Sequence, residues 1–192
     1  MAYRIRPGAR PCHRPPACDD GQVTDTPATP ATDGEARALA ALEASGLRFR
    51  ITRHGPVRTL EEAAAARRMS PEQLVKTIVV RRADDDYLFV LVPGGRTISW
   101  PKLRALLEVS RLSMPDAAVA REVTGYERGT ITPFGSLRPW PVVADARVAG
   151  RPVSIGAGAF GVAATVDGSQ LTLALGATVA DVTEPEGGAG GA

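Results

Sequence analysis

Cysteine and histidine are scarce in this sequence of 192 residues, with two of each. Cys12 and Cys18 lie in a proline-rich leader on either side of His13. A closed zinc site needs four ligands at tighter spacings, so we expect neither a metal nor another cofactor. The rest of the chain has no cysteine, which excludes thiol catalysis there. His54 is the only other histidine and no Gly-x-Ser-x-Gly segment occurs, so the sequence does not favour a serine triad.

Long apolar runs are also missing. No segment approaches the roughly 18 apolar residues that a membrane-spanning helix needs. The N-terminal arginines are followed by prolines instead of the apolar part of a secretory signal, so the expected location is the cytoplasm, with no membrane partner. A formal net charge of +2 does not give the broad basic surface of a protein that coats long nucleic acid. DNA is therefore not an expected partner, whereas contact with a few phosphates stays open.

Lysine is rare as well, because only Lys76 and Lys102 are lysines among 23 cationic side chains. Arginine evidently serves wherever a general positive charge is sufficient, so a retained lysine is a candidate functional residue. Lys76 stands between the capped segment 70–74 and the apolar run 77–80. An ammonium group is a compact point charge that fits pockets too narrow for a planar guanidinium. The alternative is a solvated lysine that ends a helix.

Composition divides the chain into three parts. Residues 1–33 form a proline-rich leader that we expect to be disordered, and residues 184–192 form a glycine-rich tail that we expect to be flexible. Residues 34–183 are predicted to form one domain, which is long enough to bury a full hydrophobic core.

Local patterns predict an α+β fold. The pairs Thr59 with Glu62 and Ser70 with Gln73 are typical of capping boxes at helix starts. Helices are expected near residues 35–45, 60–68, 101–108, 115–123 and 168–175, and strands near residues 47–52, 77–82, 87–93, 142–143, 153–155, 160–166 and 178–182. Hairpins mixed with short helices indicate a curved, mixed but mainly antiparallel sheet, barrel-like and flanked by those helices. The regular alternation of a doubly wound parallel sheet is absent.

A loop at residues 125–135 has the sequence Gly-Tyr-Glu-Arg-Gly-Thr-Ile-Thr-Pro-Phe-Gly. Three glycines and a proline within it allow turns in which successive backbone N–H groups point the same way. Such amides hold a carbonyl or a developing oxyanion without help from a side chain. A simple connecting turn is the alternative.

These segments together resemble the YbaK/ProX family of aminoacyl-tRNA deacylases and the related editing insert of bacterial prolyl-tRNA synthetases. The resemblance begins with His54 and the Arg-Thr-x-Glu-Glu-Ala-Ala segment at 58–64, continues with Val-Lys-Thr-Ile-Val at 75–79, and then follows the Gly-Tyr-x-x-Gly-x-x-x-Pro-Phe-Gly loop. It covers roughly residues 37–183 in one consistent order. Further agreement is found at residues 87–94, 142–145, 156–158 and 180–182.

The resemblance implies trans-editing, the hydrolysis of the ester that joins a wrong amino acid to the 3′-terminal adenosine of a tRNA. Lys76 would contact that adenosine or a phosphate, while Gly129, Thr130 and Pro133 would belong to the catalytic loop whose amides hold the carbonyl. No protein nucleophile is implied, because a ribose hydroxyl of the tRNA or a side chain of the substrate would assist. The residues expected to bind substrate are Arg128, Ile131, Thr132, Phe134, Gly135, Gly158 and Phe160. The implied partners are the acceptor end of an aminoacyl-tRNA and an aminoacyl-tRNA synthetase.

The sequence departs from the family in one segment. Phe160 stands where well-known relatives place histidine or arginine, and Val162 or Ala163 stands where cysteinyl-tRNA deacylases place an acid. This loss of polarity keeps a second interpretation open, in which the domain is a non-catalytic tRNA- or synthetase-associated binding module with the same fold.

Several charged side chains have an alternative structural interpretation. The position of Asp145 is more typical of a turn aspartate, and that of Asp181 of a helix or strand cap, than of a functional carboxylate. His54 is expected to cap or pack where its strand ends. Arg128, Arg81 and Arg82 are candidates for binding the phosphates of the acceptor stem. We favour Arg128 because it lies inside the loop. Arg81 and Arg82 could equally form the exposed end of a hairpin.

Overall fold

The computed structural model describes residues 32–187. The predicted leader, apart from its last two residues, and the tail beyond residue 187 therefore lie outside the described residues. The cluster of Cys12, His13 and Cys18 lies outside them too. Within residues 32–187, no group of three or more His, Cys, Asp or Glu side chains is placed to hold a metal ion. No helix in that same range is long and apolar enough to cross a membrane.

The described chain alternates short helices with strands. The helices are α1 (Asp33–Ala44), α2 (Leu60–Arg67), α3 (Trp100–Leu107), α4 (Ala117–Thr124) and α5 (Gly168–Ala174), with 3₁₀ turns at Pro71–Gln73 and Ala146–Val148. The strands are β1 (Phe49–Arg53), β2 (Leu74–Ala83), β3 (Asp86–Pro93), β4 (Arg96–Ile98), β5 (Val142–Asp145), β6 (Pro152–Gly156), β7 (Val162–Asp167), β8 (Thr178–Ala180) and β9 (Thr183–Pro185). Every predicted helix and strand is present with small shifts at its ends, whereas β4 and β9 were not predicted.

The two predicted capping boxes have different outcomes. Oε1 of Gln73 accepts a hydrogen bond from the Ser70 backbone N–H at 3.0 Å, which completes the second box. In the first box, Oγ1 of Thr59 accepts from the Glu62 N–H at 3.1 Å, but the Glu62 carboxylate accepts from the N–H of Arg58 instead of that of Thr59. Both arrangements still satisfy N–H groups that a helix start leaves unpaired.

Seven strands form one open sheet in the order β1-β7-β6-β2-β3-β5-β8. The pairings β2–β6, β3–β5 and β5–β8 are parallel, and the other three are antiparallel with longer registers. The sheet is therefore mixed and mainly antiparallel, as predicted. The sheet is not a closed barrel, because β1 and β8 are its two edges and do not pair with each other. After the three-residue β8 the chain leaves this sheet, so no strand closes it.

A second sheet pairs β4 with β9 in antiparallel register, from Arg96 opposite Pro185 to Ile98 opposite Thr183. The N–H of Glu186 adds a hydrogen bond to the Gly95 carbonyl at 2.9 Å. The first residues of the predicted flexible tail, Glu184 and Pro185, are therefore part of a strand. Composition did not indicate this pairing because its partner lies far away in the sequence.

The hydrophobic core lies on both faces of β3. Tyr87, Phe89 and Leu91 belong to one buried cluster, together with residues of α1, α4 and α5. The alternate side chains of the strand, Leu88 and Val90 among them, belong to a second cluster with α3. Each fully buried side chain of this size contributes about 1.5–3 kcal/mol to the free energy of unfolding. The central hairpin of β2 and β3 therefore contributes strongly to the stability of the domain.

Candidate functional site

A cavity of about 210 Å³ opens where β2 begins beside β6. Its walls come from the start of β2, from α2, from the end of β6 and from the 125–135 loop. The lining residues are Leu60, Arg67, Leu74, Val75, Lys76, Thr77, Gly129, Ile131 and Gly156. Lys76 and the loop, which are distant in sequence, therefore line the same cavity.

The contacts between β2 and β6 set the position of this cavity. The Gln73 amide donates to the Pro152 carbonyl at 2.9 Å, which ties the 3₁₀ turn before β2 to the first residue of β6. The parallel pairing of β2 with β6 then covers only Leu74 opposite Ser154 and Val75 opposite Ile155. Beyond that short register the two strands separate, and the space at their junction is covered by the loop.

Lys76 lies in β2, and its side chain is 37% exposed. Its Nζ donates to the Arg96 carbonyl at 2.7 Å and forms an ion pair with Oε1 of Glu186 at 2.5 Å. Both acceptors belong to the segments around the β4–β9 sheet. The segments around this small sheet therefore fix the ammonium, and Lys76 is not a solvated residue at a helix end.

The loop lines the cavity with Gly129 and Ile131. The Thr130 N–H donates to the Glu127 carbonyl at 2.9 Å, which closes a turn. Among the described residues, neither the N–H of Gly129 nor that of Ile131 has a hydrogen-bond acceptor. Gly129 has φ of 93°, and a Cβ there would lie 3.2 Å from Cε1 of Phe160. These two N–H groups thus belong to residues that line the cavity and have no acceptor in the described chain.

Several loop residues expected at the site are buried instead. Thr130, Thr132 and Phe134 are each at most 5% exposed, and Phe134 packs in the larger core cluster. Pro133 is half-buried and does not line the cavity. The side chains of these residues thus hold the loop in place, and what the loop offers a ligand is backbone and Ile131.

Two predicted glycines fit against α1. A Cβ at Gly135 would overlap the Arg37 carbonyl, and a Cβ at Gly158 would overlap the Gly34 carbonyl. Both glycines also have positive φ, at 67° and 82°. They permit a close approach between loops and helix, and neither lines the cavity.

Phe160 and Arg128 lie outside the cavity, next to the loop glycine. Phe160 is 72% exposed, and its ring packs on Gly129. Arg128 is exposed and forms no ion pair within residues 32–187. By contrast, Arg81 and Arg82 are paired with Asp84 and Asp86 at the end of the β2–β3 hairpin.

Arg67 lines the cavity although the sequence did not single it out. Its Nε donates to Nε2 of His54 at 3.3 Å, and its Nη1 donates to Oγ of Ser154 at 3.3 Å. Because an arginine only donates, Nε2 of His54 is unprotonated and Nδ1 donates to the Gly55 carbonyl at 2.8 Å. Burial lowers the pKa of the Arg67 guanidinium. In a chain this rich in arginine, no sequence signal distinguishes Arg67 from its neighbours.

The two aspartates have structural roles, as their positions indicated. Asp145 is fully buried and accepts hydrogen bonds from Oγ1 of Thr183 at 2.7 Å and from the N–H of Val182 at 3.2 Å. Asp181 forms ion pairs with Lys102 at 2.7 Å and Arg147 at 2.8 Å. This network attaches the end of β8 to β5 and is separate from the lining of the cavity.

Comparison with known proteins agrees with this geometry. Residues 54–174 match the family described as aminoacyl-tRNA editing domain. A proline–tRNA ligase of Bacillus licheniformis is 32% identical over 93 residues, which are 48% of this chain and 16% of the ligase. A proline–tRNA ligase of Caldicellulosiruptor saccharolyticus is 35% identical over 79 residues, which are 41% of this chain and 14% of the ligase. The chain thus spans only a small part of the length of these relatives.

Solved structures share the fold. A crystal structure described as a candidate trans-editing enzyme for prolyl-tRNA synthetase has a TM-score of 0.73 and 26% identity, covering 80% of this chain and 99% of that one. A crystal structure of a hypothetical protein has a TM-score of 0.71 and 28% identity, covering 77% of this chain and 99% of that one. Since the family match extends over more than half of the sequence and the fold agrees, the chain belongs to the aminoacyl-tRNA editing domain family.

Proposed function

We propose that the protein is an aminoacyl-tRNA deacylase that hydrolyses the ester of mischarged tRNA in trans. The observation that carries this proposal is the shared cavity, which Lys76, Gly129 and Ile131 line together, while the N–H groups of Gly129 and Ile131 have no hydrogen-bond acceptor in the described chain. A cation and free N–H donors around a cavity suit a substrate with an anionic backbone and a reactive carbonyl.

Catalysis would rest on positioning and on electrostatic stabilisation. The amides of the Gly129–Pro133 loop would bind the ester carbonyl and stabilise the oxyanion that forms when water adds to it. An aminoacyl ester is activated, so holding it in the reactive geometry supplies much of the required acceleration. No protein nucleophile is invoked, and a ribose hydroxyl of the tRNA would assist the attack. His54 is not assigned as a general base because Arg67 occupies its Nε2.

The rest of the tRNA end would be held at the mouth of the cavity. Lys76 would exchange its ion pair with Glu186 for the terminal adenosine or its phosphate. Arg128 would bind a phosphate of the acceptor stem, and the exposed ring of Phe160 would stack on the terminal base. The partner is thus the acceptor end of an aminoacyl-tRNA, delivered by or released from an aminoacyl-tRNA synthetase.

The test is a deacylation screen with alanyl-, cysteinyl- and seryl-tRNA. Lys76→Ala should lower kcat/KM at least about tenfold on the accepted substrate, the size expected for losing a charge-assisted hydrogen bond. Lys102→Ala is the matched control, since the other lysine pairs with Asp181 away from the cavity and its loss should leave the rate unchanged. Equal rates for the two variants would contradict the role of Lys76.

A non-catalytic binding module is the second candidate function. Val162 and Ala163, which stand where cysteinyl-tRNA deacylases place an acid, are buried in this chain. Consequently no carboxylate from this position reaches the site. Under this alternative, tRNA would bind in a salt-dependent way and amino acid would be released from none of the mischarged tRNAs.

A further inference from the structure

Arg67 is held in the cavity wall by two neutral partners. His54 and the fully buried Ser154 accept from Nε and Nη1, which fixes the plane of the guanidinium. The remaining nitrogen, Nη2, has no hydrogen-bond partner within residues 32–187. No carboxylate of the described chain lies within ion-pair distance of Arg67 either. The side chain is therefore oriented by the protein while its charge is left unbalanced.

Two other cations near this part of the molecule are neutralised. Lys76 is paired with Glu186, and Arg53 is paired with Glu35 at 2.6 Å. A half-buried charge without a counterion has lost part of its hydration and gained no ion pair in return. Burial accordingly lowers the pKa of Arg67, although a guanidinium keeps its proton. Such an arrangement is unfavourable unless a ligand supplies the missing negative charge.

We propose that Arg67 is an anion-binding residue of the cavity, in addition to Lys76, and binds a pair of anionic oxygens on the substrate. This inference rests on the proposed function and names the chemistry that its site recognises. Two sources carry that chemistry, namely the phosphate of the terminal nucleotide and a carboxylate on the side chain of the attached amino acid. The planar fork of arginine binds either group through two parallel hydrogen bonds, which the single point of a lysine does not provide.

The other walls of the cavity strengthen this assignment. Leu60, Leu74, Val75 and Ile131 give the cavity an apolar part beside the guanidinium. Oγ1 of Thr77, also on the lining, is buried without a hydrogen-bond partner in the described chain. The wall beside Arg67 thus contains a second polar group that the described chain leaves unsatisfied.

The first experiment measures anion binding without catalysis. Adenosine 5′-monophosphate and adenosine are titrated by calorimetry into the wild type, Arg67→Gln and Arg68→Gln. Arg68→Gln is the matched control because it removes the same charge from an exposed neighbouring side chain. If the phosphate is the ligand, Arg67→Gln weakens the monophosphate about tenfold or more and leaves adenosine unchanged, while Arg68→Gln changes neither.

The second experiment tests the carboxylate. Deacylation of glutamyl-tRNA is compared with that of glutaminyl-tRNA, which differs only by an amide in place of the acid. If the carboxylate is the ligand, Arg67→Gln lowers kcat/KM about tenfold or more for the glutamyl ester alone. If both esters and the monophosphate are affected equally, the phosphate is the source.

Two further variants distinguish loss of the anion contact from misfolding. Arg67→Lys keeps the charge but not the fork, so it should recover only part of the lost binding. Ser154→Ala removes one hydrogen-bond acceptor of the guanidinium and should weaken binding of the same anion less than Arg67→Gln does.

Identical behaviour of Arg67→Gln and Arg68→Gln in both experiments would overturn the inference. If the wild type deacylates no tRNA but binds the monophosphate through Arg67, the proposed function fails and the inference stands.

Discussion

Nζ of Lys76 lies 2.5 Å from Oε1 of Glu186, which immediately follows β9. The side chain of Glu186 is about half exposed, so its carboxylate is held in place by this contact and not by burial. A carboxylate of the chain itself therefore occupies the position where the proposed function requires an anionic oxygen of the substrate. Binding of tRNA must displace it.

Glu186→Gln should therefore strengthen substrate binding. An exposed ion pair contributes up to about 1 kcal/mol, so we expect KM for a mischarged tRNA to fall about two- to fivefold with little change in kcat. Steady-state deacylation kinetics measure both constants. Glu184→Gln removes a charge from β9, two residues earlier, without affecting the ion pair of Lys76, and is the control. An unchanged KM for Glu186→Gln would show that this carboxylate does not compete with substrate.

Gly129→Ala should impair activity more than folding. The new Cβ would strain a backbone with φ of 93° and press on Phe160, moving the amides that the proposal assigns to the oxyanion. We expect kcat to fall about 100-fold, the size reported for losing one such donor.

Gly150→Ala is the matched control for that substitution. Gly150 has φ of 76°, yet a Cβ there would have no neighbour within 4 Å. Both variants should lose about 1 kcal/mol of unfolding free energy through backbone strain, measured by urea denaturation. Only Gly129→Ala should lose activity. Comparable activity of the two proteins would argue against the loop amides.

Phe160→Ala should weaken tRNA binding without destabilising the domain. Its ring is 72% exposed, so little core packing is lost, whereas stacking on a base contributes about 1–3 kcal/mol. We expect the Kd for tRNA to rise at least about fivefold in a filter-binding assay. Leu173→Ala removes an equally exposed apolar side chain, 82% exposed on α5, and should leave Kd unchanged. The same Kd for Phe160→Ala and wild type would remove the stacking role.

Acid should destabilise the domain through Asp181. Hydrogen bonds from Lys102 and Arg147 lower the pKa of its carboxyl to about 2. An unfolded aspartate has a pKa of about 3.9, so the stabilisation is present above that value and is lost as the pH falls toward about 2. Urea denaturation between these limits should show a shallower pH dependence for Asp181→Asn. An unchanged slope would mean that this network does not link protonation to folding.

The buried carboxylate of Asp145 should matter more for stability. Burial alone would raise its pKa, but hydrogen bonds from Thr183, Arg147 and Val182 outweigh burial and lower it. Asp145→Asn keeps the shape and removes the charge, and we expect it to cost about 1.5–3 kcal/mol of unfolding free energy at neutral pH. Chemical denaturation measures this loss. Asp167→Asn, at the exposed start of α5, provides the comparison and should cost less.

Short-range signals in the sequence were sufficient for most of the secondary structure. The Ser70–Gln73 capping pair and the β-branched runs of β2 and β3 depend on neighbours a few residues away, and both are present. The rarity of lysine singled out Lys76, and its glycines singled out the 125–135 loop. The family likeness then implied a role for each of them. The loop side chains were less predictable, since Thr132 and Phe134 are buried by contacts that chain order does not reveal.

The sequence by itself determined the helices and most strands, the mixed sheet and the family to which the chain belongs. The tertiary structure alone decided that the sheet stays open, that β9 pairs with β4, that Arg67 lines the cavity and that Glu186 pairs with Lys76. These features depend on pairings between segments distant in the chain. Local propensity and composition carry no information on such pairings, because their energy appears only after the chain has folded and brought the segments together.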